Sequence, residues 1–269
     1  MGVPVVGSGA VRRALEQTVA AQRLEGWRPT GEQLADLARL ADANLSFGEY
    51  LARYRARHPP ATSAPRRRVL RRRIPYVIAG TTVLRNNFGV AEQTALAELE
   101  FIATAGRMLA WQLRIAAGRT GAADLDARVI HRRLFADVYA WAGEYRVTEL
   151  RLGDTAFGWQ ADIAARMVEI TDRTRRVVTT PPGDGPALAY QLSRLYADHN
   201  QVHPFREGNG RTGTLLLHTV SALCGYRLDL SGISRAEWYG ASADSMPFRR
   251  DGRANHRPFI PLLVRAVGR

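Results

Sequence analysis

The sequence has no lysine: all 38 of its basic residues are arginine. A P-loop needs its lysine to hold the terminal phosphates, so P-loop nucleotide chemistry is excluded. There is one cysteine, Cys224. An internal disulfide framework is therefore excluded as well, and a reducing, cytoplasmic setting is the expectation. No apolar run reaches the roughly 18 residues of a membrane helix. The apolar stretch Val3 to Val6 comes before Arg12 and Arg13, the reverse of a secretory leader, where the charges come first. Met1-Gly2 is followed by Val6, where a myristoylation signal needs Ser or Thr. No membrane partner is expected.

What is present is an ordinary globular composition, 46% apolar and 23% charged, long enough for one full domain and a small additional module. The net charge is +13 and it is unevenly spread. Residues 1–60 carry 8 Arg and 6 acids, residues 61–75 carry 6 Arg and no acid, and residues 76–269 carry 24 Arg and 19 acids. The short middle stretch follows Pro59-Pro60 and holds the run Arg66-Arg67-Arg68-Val69-Leu70-Arg71-Arg72-Arg73. It has no interleaved aromatics on which bases could stack. It reads as a solvated linker rather than a nucleic-acid site. The expected division is a helical module over 1–58, a linker over 59–75 and a main domain over 76–269.

The pattern is helical almost throughout. Val11, Leu15 and Val19 share a face, and Gly26 is placed to end that helix. Thr30 with Gln33, and Ser46 with Glu49, have the form of capping boxes that open two more short helices. Further helices are predicted over 92–117, 124–139, 160–178, 185–200, 210–224, 234–246 and 257–267, with Asp124 and Ser234 as N-caps. The one β-like stretch is Val147-Thr148-Glu149-Leu150-Arg151-Leu152, followed by the turn Gly153-Asp154. The fold class is all-α with a small β-hairpin.

The chemistry concentrates in His203-Pro204-Phe205-Arg206-Glu207-Gly208-Asn209-Gly210-Arg211. Pro204 stops the incoming helix, and a new helix starts near Gly210. The first turn of that helix offers free N–H groups and a positive dipole end. Gly208 and Gly210 let backbone approach an anion closely. Asn209 adds an amide donor, and Arg211 a guanidinium fork suited to phosphate. Glu207 would repel phosphate unless Mg²⁺ bridged them. His203 can take a proton near neutral pH. A phosphate cradle, a metal carboxylate and a base within nine residues describe phosphoryl or nucleotidyl transfer to a hydroxyl. His131, His199, His218 and Cys224 read as packing or hydrogen-bonding residues, with a supporting role open to His199.

This segment resembles the motif of the Fic family, His-Pro-Phe-x-(Asp/Glu)-Gly-Asn-Gly-Arg, at every specified position. Tyr139 to Arg146 and Gly80 to Gly89 are similar to other parts of Fic proteins, so the resemblance covers about residues 76–265. It implies a protein adenylyltransferase moving AMP from ATP to a Ser, Thr or Tyr hydroxyl of a target protein. Type II topoisomerase subunits are candidate targets by the same resemblance, although no residue specifies them. By resemblance His203 is the general base, Glu207 the Mg²⁺ ligand, and Gly208, Asn209 and Gly210 the phosphate holders. Arg211 contacts the β-phosphate, Phe205 anchors the loop, and Val147 to Leu152 form the flap that docks the target. The family motif usually ends on a second Arg, and here that position is Thr214. Transfer of a different phosphate-linked group, and nucleotide or partner binding without catalysis, therefore stay open.

Ala21 to Gly26 is similar to the inhibitory motif (Ser/Thr)-x-x-x-Glu-Gly of Fic regulation, and the three short helices resemble the small antitoxins of Fic toxins. The resemblance implies an intramolecular, toxin–antitoxin-like inhibitory module with Glu25 and Gly26 at its working end. Ala21 and Thr214 depart from the pattern together, so the clamp has either been rebuilt around another Arg or lost. Glu25 is expected near Arg211.

Overall fold

The computed structural model describes residues 7–61 and 75–268. The arginine run 66–73 and most of the expected linker lie outside the described residues. The architecture is all-α. In chain order the helices are α1 (Ser8–Leu24), α2 (Gly31–Ala41), α3 (Phe47–Arg55), α4 (Gln93–Ala116), α5 (Ala127–Phe135), α6 (Ile163–Thr179), α7 (Gly185–Val202), α8 (Asn209–Leu223), α9 (Arg235–Asp244) and α10 (Ile260–Ala266). Two short antiparallel pairs accompany them: β1 (Arg151–Leu152) with β2 (Thr155–Ala156), and β3 (Arg227–Leu228) with β4 (Val267–Gly268). No helix among the described residues is long and apolar enough to cross a membrane.

Helix α1 ends as its glycine requires. Gly26 adopts φ +100, the Trp27 N–H donates to the Gln22 carbonyl at 3.0 Å, and the Gly26 N–H donates to Arg23 at 3.0 Å. This pair of bonds closes the helix end in a Schellman turn and leaves Glu25 at the cap. Both predicted capping boxes form, Thr30 with Gln33 opening α2 and Ser46 with Glu49 opening α3.

The central element is α4, whose Leu99, Ile102, Ala103, Ala105 and Met108 are fully buried. On one side it receives α1–α3. Gln22 donates to Thr104 Oγ1 at 3.1 Å, and Trp27 stacks on Phe101 with centroids 6.4 Å apart. Gly106 lets α3 come close, since a Cβ there would fall 2.8 Å from the Phe47 ring. On the other side α4 meets α5 and α8. Ala21, Leu24, Trp27, Leu37, Tyr50 and Tyr54 thus belong to the same hydrophobic core as α4 and α8.

Three local expectations shift. The cap of α5 is Asp126, which accepts the Arg128 N–H at 2.8 Å. Asp124 instead accepts from Gly121 at 3.0 Å and closes the preceding single turn. The helix stops at Phe135, four residues before the predicted end. The expected strand over 147–152 is regular only at Arg151–Leu152, because the backbone before it is held by side chains. Val147 N–H donates to the Tyr76 hydroxyl at 2.9 Å, and the Thr148 carbonyl accepts from Arg146 at 2.6 Å.

Candidate active site

The loop between α7 and α8 carries the predicted residues. His203 caps α7 in the left-handed region, φ 48 and ψ 61, with its N–H bonded to the His199 carbonyl. A non-glycine residue there is strained by about 1 kcal/mol. The turn it makes directs the chain into Pro204 and Phe205, and the Phe205 ring is completely buried. Asn209 fastens the loop at both polar groups of Phe205, accepting its N–H at 2.8 Å and donating to its carbonyl at 2.8 Å. Its side-chain amide is engaged within the loop, leaving the backbone N–H of Asn209 as the group it can offer an anion. Gly208 sits at φ +78, and a Cβ there would fall 2.1 Å from the Phe135 ring. Gly208 caps α8, and Asn209, Gly210 and Arg211 make its first turn.

The His203 ring stacks on Phe157, centroids 3.7 Å apart and planes 16° apart. Its Nδ1 lies 3.3 Å from the Asn200 carbonyl, a geometry that favours Nδ1–H and leaves Nε2 with a free lone pair. Desolvation first, then the neighbouring His199, lowers its pKa to about 3. The ring is thus neutral at physiological pH, and an anionic ligand placed beside it would raise that value.

Arg211 is almost fully buried. It pairs with Glu100 and donates to Thr104 Oγ1 at 3.2 Å. Glu207 lies 3.5 Å from it, while the Arg211 Nε is buried without a partner. Glu207 is half-buried and accepts the Gly208 N–H at 2.9 Å. Burial, then the charge of Glu100, raises its pKa. Among the described residues no cluster of three or more His, Cys, Asp or Glu forms a metal cage. A single half-exposed carboxylate beside a phosphate cradle fits a divalent ion shared between protein and phosphate oxygens.

The expected meeting of the N-terminal module with this loop is present. A Cβ at Gly210 would fall 2.1 Å from Glu25 Oε1 and 2.7 Å from Oε2. The carboxyl group of Glu25 therefore rests on the start of α8, where an anion would sit. No ion pair with Arg211 forms within 4 Å among the described residues. Desolvation pushes the Glu25 pKa up to about 7, against the pull of Arg211, and Glu207, Arg235 and Glu100 also act on it. Gly26 packs beside Arg235, since a Cβ there would lie 3.4 Å from the Arg235 Nε. Thr214 is wholly buried, and its hydroxyl donates to carbonyls of its own helix, Gly210 and Arg211.

Further residues hold the site together, and Arg146 among them has no local sequence signal. Arg146, buried, donates to the carbonyls of His203 (2.8 Å), Thr148 (2.6 Å), Gly158 (2.6 Å) and Val202 (3.2 Å). It thereby stitches the flap to the loop. His131 packs its ring 3.9 Å from that of Phe205, accepts the Gly143 N–H at 2.8 Å and faces the Glu207 carbonyl at 3.0 Å. His199 holds the Asn209 carbonyl at 3.0 Å. The flap itself exposes Val147 and Leu152. Glu149 pairs with Arg250, whose guanidinium lies 3.7 Å over the Trp159 ring.

Comparison with known proteins agrees with this geometry. Residues 124–221 match the sequence model of the Fic/DOC family, and residues 12–57 match that of antitoxin VbhA. The chain is 31% identical over 175 residues to the protein adenylyltransferase VbhT of Bartonella schoenbuchensis, a match that covers 64% of this chain and 35% of VbhT. The chain thus spans about a third of the length of that relative. It is 34% identical over 164 residues to the probable protein adenylyltransferase y4lH of Sinorhizobium fredii, covering 58% of this chain and 80% of y4lH. In structure it resembles the BepC protein of Bartonella tribocorum, solved with bound AMPPNP. The TM-score is 0.59 at 19% identity, with 72% of this chain and 96% of that one covered.

Proposed function

The chain belongs to the Fic/DOC family, and from that premise we infer that it is a protein adenylyltransferase that moves AMP from ATP to a hydroxyl of a target protein. The observation that carries this reading is the Glu25 carboxyl group resting against Gly210 at the start of α8. The cradle already holds an acidic group, and it holds it where the phosphates of a nucleotide would lie. Curated relatives named as protein adenylyltransferases support the same activity.

In this reading the backbone N–H groups of Asn209, Gly210 and Arg211 take the phosphates, joined by that of Gly208 once Glu207 releases it to hold the metal. Arg211, whose Nε is buried without a partner, offers that donor to the β-phosphate. Glu207 would ligate Mg²⁺, which when bound supplies positive charge to the phosphate oxygens. His203 Nε2 accepts the proton of a Ser, Thr or Tyr hydroxyl as its oxygen bonds to the α-phosphorus, and diphosphate leaves. The free edge of the β1–β2 hairpin, with Leu152 and Val147 exposed beside it, would seat the target segment by strand addition. Residues 1–58 act as an inhibitory module in cis, with Glu25 and Gly26 as the obstructing end, and residues 76–269 form the transferase. A type II topoisomerase subunit as target and a cytoplasmic location complete the proposal.

The test is transfer of label from ATP, with UTP in parallel, to candidate targets by the protein and by its His203→Ala and Glu25→Gly variants. Transfer from ATP that needs His203 and rises in Glu25→Gly supports the reading. Transfer from UTP alone would replace the donor. Nucleotide binding without transfer, even in Glu25→Gly, would make the protein a binding module.

A further inference from the structure

The charges around the cradle do not suit a polyphosphate as they stand. Three carboxyl groups, Glu25, Glu100 and Glu207, surround Arg211. Arg211 is itself held by Glu100, Thr104 and Glu207, so most of its donors are engaged before a ligand arrives. Thr214 brings no charge and turns its hydroxyl back onto α8. A nucleoside triphosphate would place several negative charges here, and a divalent ion on Glu207 would offset only part of them.

Two further cations face the site. Arg206 acts on Glu207 and His203. Arg235 acts on Glu25, on the side where the obstructing carboxyl group sits. Arg235 is the first residue of α9, which Ser234 and Glu237 cap. Its guanidinium lies 4.1 Å from the centre of the Tyr239 ring and packs along Gly26. The side chain is exposed and forms no ion pair within 4 Å among the described residues. It stands outside residues 124–221, which carry the family match.

We propose that Arg235 is the cation that binds the terminal phosphate of the nucleotide once Glu25 has moved away. The placement follows from the carboxyl group already present. Glu25 rests against Gly210, and the Arg235 guanidinium packs on Gly26, the next residue. The contact with Tyr239, a ring contact together with a side-chain hydrogen bond, pre-orients the fork and leaves its other N–H groups free. On Glu25 withdrawal the same fork faces an emptied anion site. Two charge-assisted N–H···O bonds to phosphate then replace a contact with Gly26. The proposal rests on the reading that ATP is the donor.

The experiment is calorimetric binding of Mg²⁺ complexes of ATP and ADP, and of AMP, to the full chain carrying Glu25→Gly, with and without Arg235→Ala or Arg235→Lys. Loss of a charge-assisted contact should weaken ATP binding about 10- to 100-fold. AMP binding should not change, and Arg235→Lys should recover most of the loss. Equal ATP affinity in the presence and absence of Arg235, or an equal loss for ATP and AMP, overturns the assignment while leaving the donor reading intact. Failure of the Glu25→Gly protein to bind any adenine nucleotide overturns the donor reading and this assignment with it. Arg235 is exposed at a helix start, so its replacement leaves the core untouched; an unchanged circular-dichroism melt verifies this.

Discussion

The obstruction by Glu25 should depend on its protonation, in a direction opposite to that of an ion-pair latch. In the docked arrangement the carboxyl pKa is pushed up to about 7 by burial, from an ordinary 4.5. A group with a raised pKa favours the docked state fully below its ordinary value, and loses that advantage as pH rises through the raised one. Docking therefore weakens through the window between 4.5 and 7. From about pH 5.5 to about pH 8.5 the loss is about 2 kcal/mol, roughly thirtyfold in the docking equilibrium. His203, His131 and His199, depressed to about 3 or 4, do not titrate in this window. The informative perturbation is Glu25→Gln, which keeps the shape and removes the proton equilibrium. Nucleotide competes with the docked side chain, so the apparent ADP affinity of the wild-type protein should rise with pH relative to that of Glu25→Gln. At about pH 8.5 the Gln variant should exclude nucleotide at least about tenfold more strongly than wild type. Tighter nucleotide binding by Glu25→Gln across the whole range would refute the reasoning. It would mean that Glu25 is held as a carboxylate by Arg211 and Arg235.

Other substitutions test the scaffold around the loop. Gly208→Ala combines positive φ with a Cβ driven into Phe135, and should cost about 2–4 kcal/mol in urea unfolding, with nucleotide binding lost. Arg146→Ala abandons four carbonyl acceptors. It should destabilise by about 3–5 kcal/mol, a fall in Tm of roughly 10 °C, and proteolysis should begin in the flap. Gly106→Ala pushes the Phe47 and Tyr50 rings off α4. About 1–3 kcal/mol should be lost, with raised hydrogen exchange confined to α3.

The helical character, both early capping boxes and the turn at Gly26 were legible because each depends on residues within a few positions of one another. The motif loop was legible for the same reason, and Glu25 was expected beside it by resemblance. What escaped was set by distant chain segments. Arg146 reaches His203, 57 residues on, and Arg211 reaches Glu100, 111 residues back. No spacing in the sequence announces either bond. The flap misled because its alternation suggested a full strand, whereas Arg146 and Tyr76 draw the first half of its backbone away. Asn209 looked like a free phosphate donor, and its amide is engaged with Phe205. The protonation of Glu25 was equally hidden, since it follows from burial against the rest of the site rather than from residue type.

The shared core of α1–α3 with α4 and α8 has a consequence for how such an enzyme would be switched on. Prising the whole N-terminal segment away would part Trp27 from Phe101, and Phe47 and Tyr50 from Gly106, and so break a shared hydrophobic core at a cost of several kcal/mol. The obstructing carboxyl, by contrast, hangs from the final turn of α1, where a glycine makes the bend. Helix ends fray readily. Relief would then be a matter of unwinding one turn while the remaining helices stay seated, and the off state would act as a stopper on a short tether.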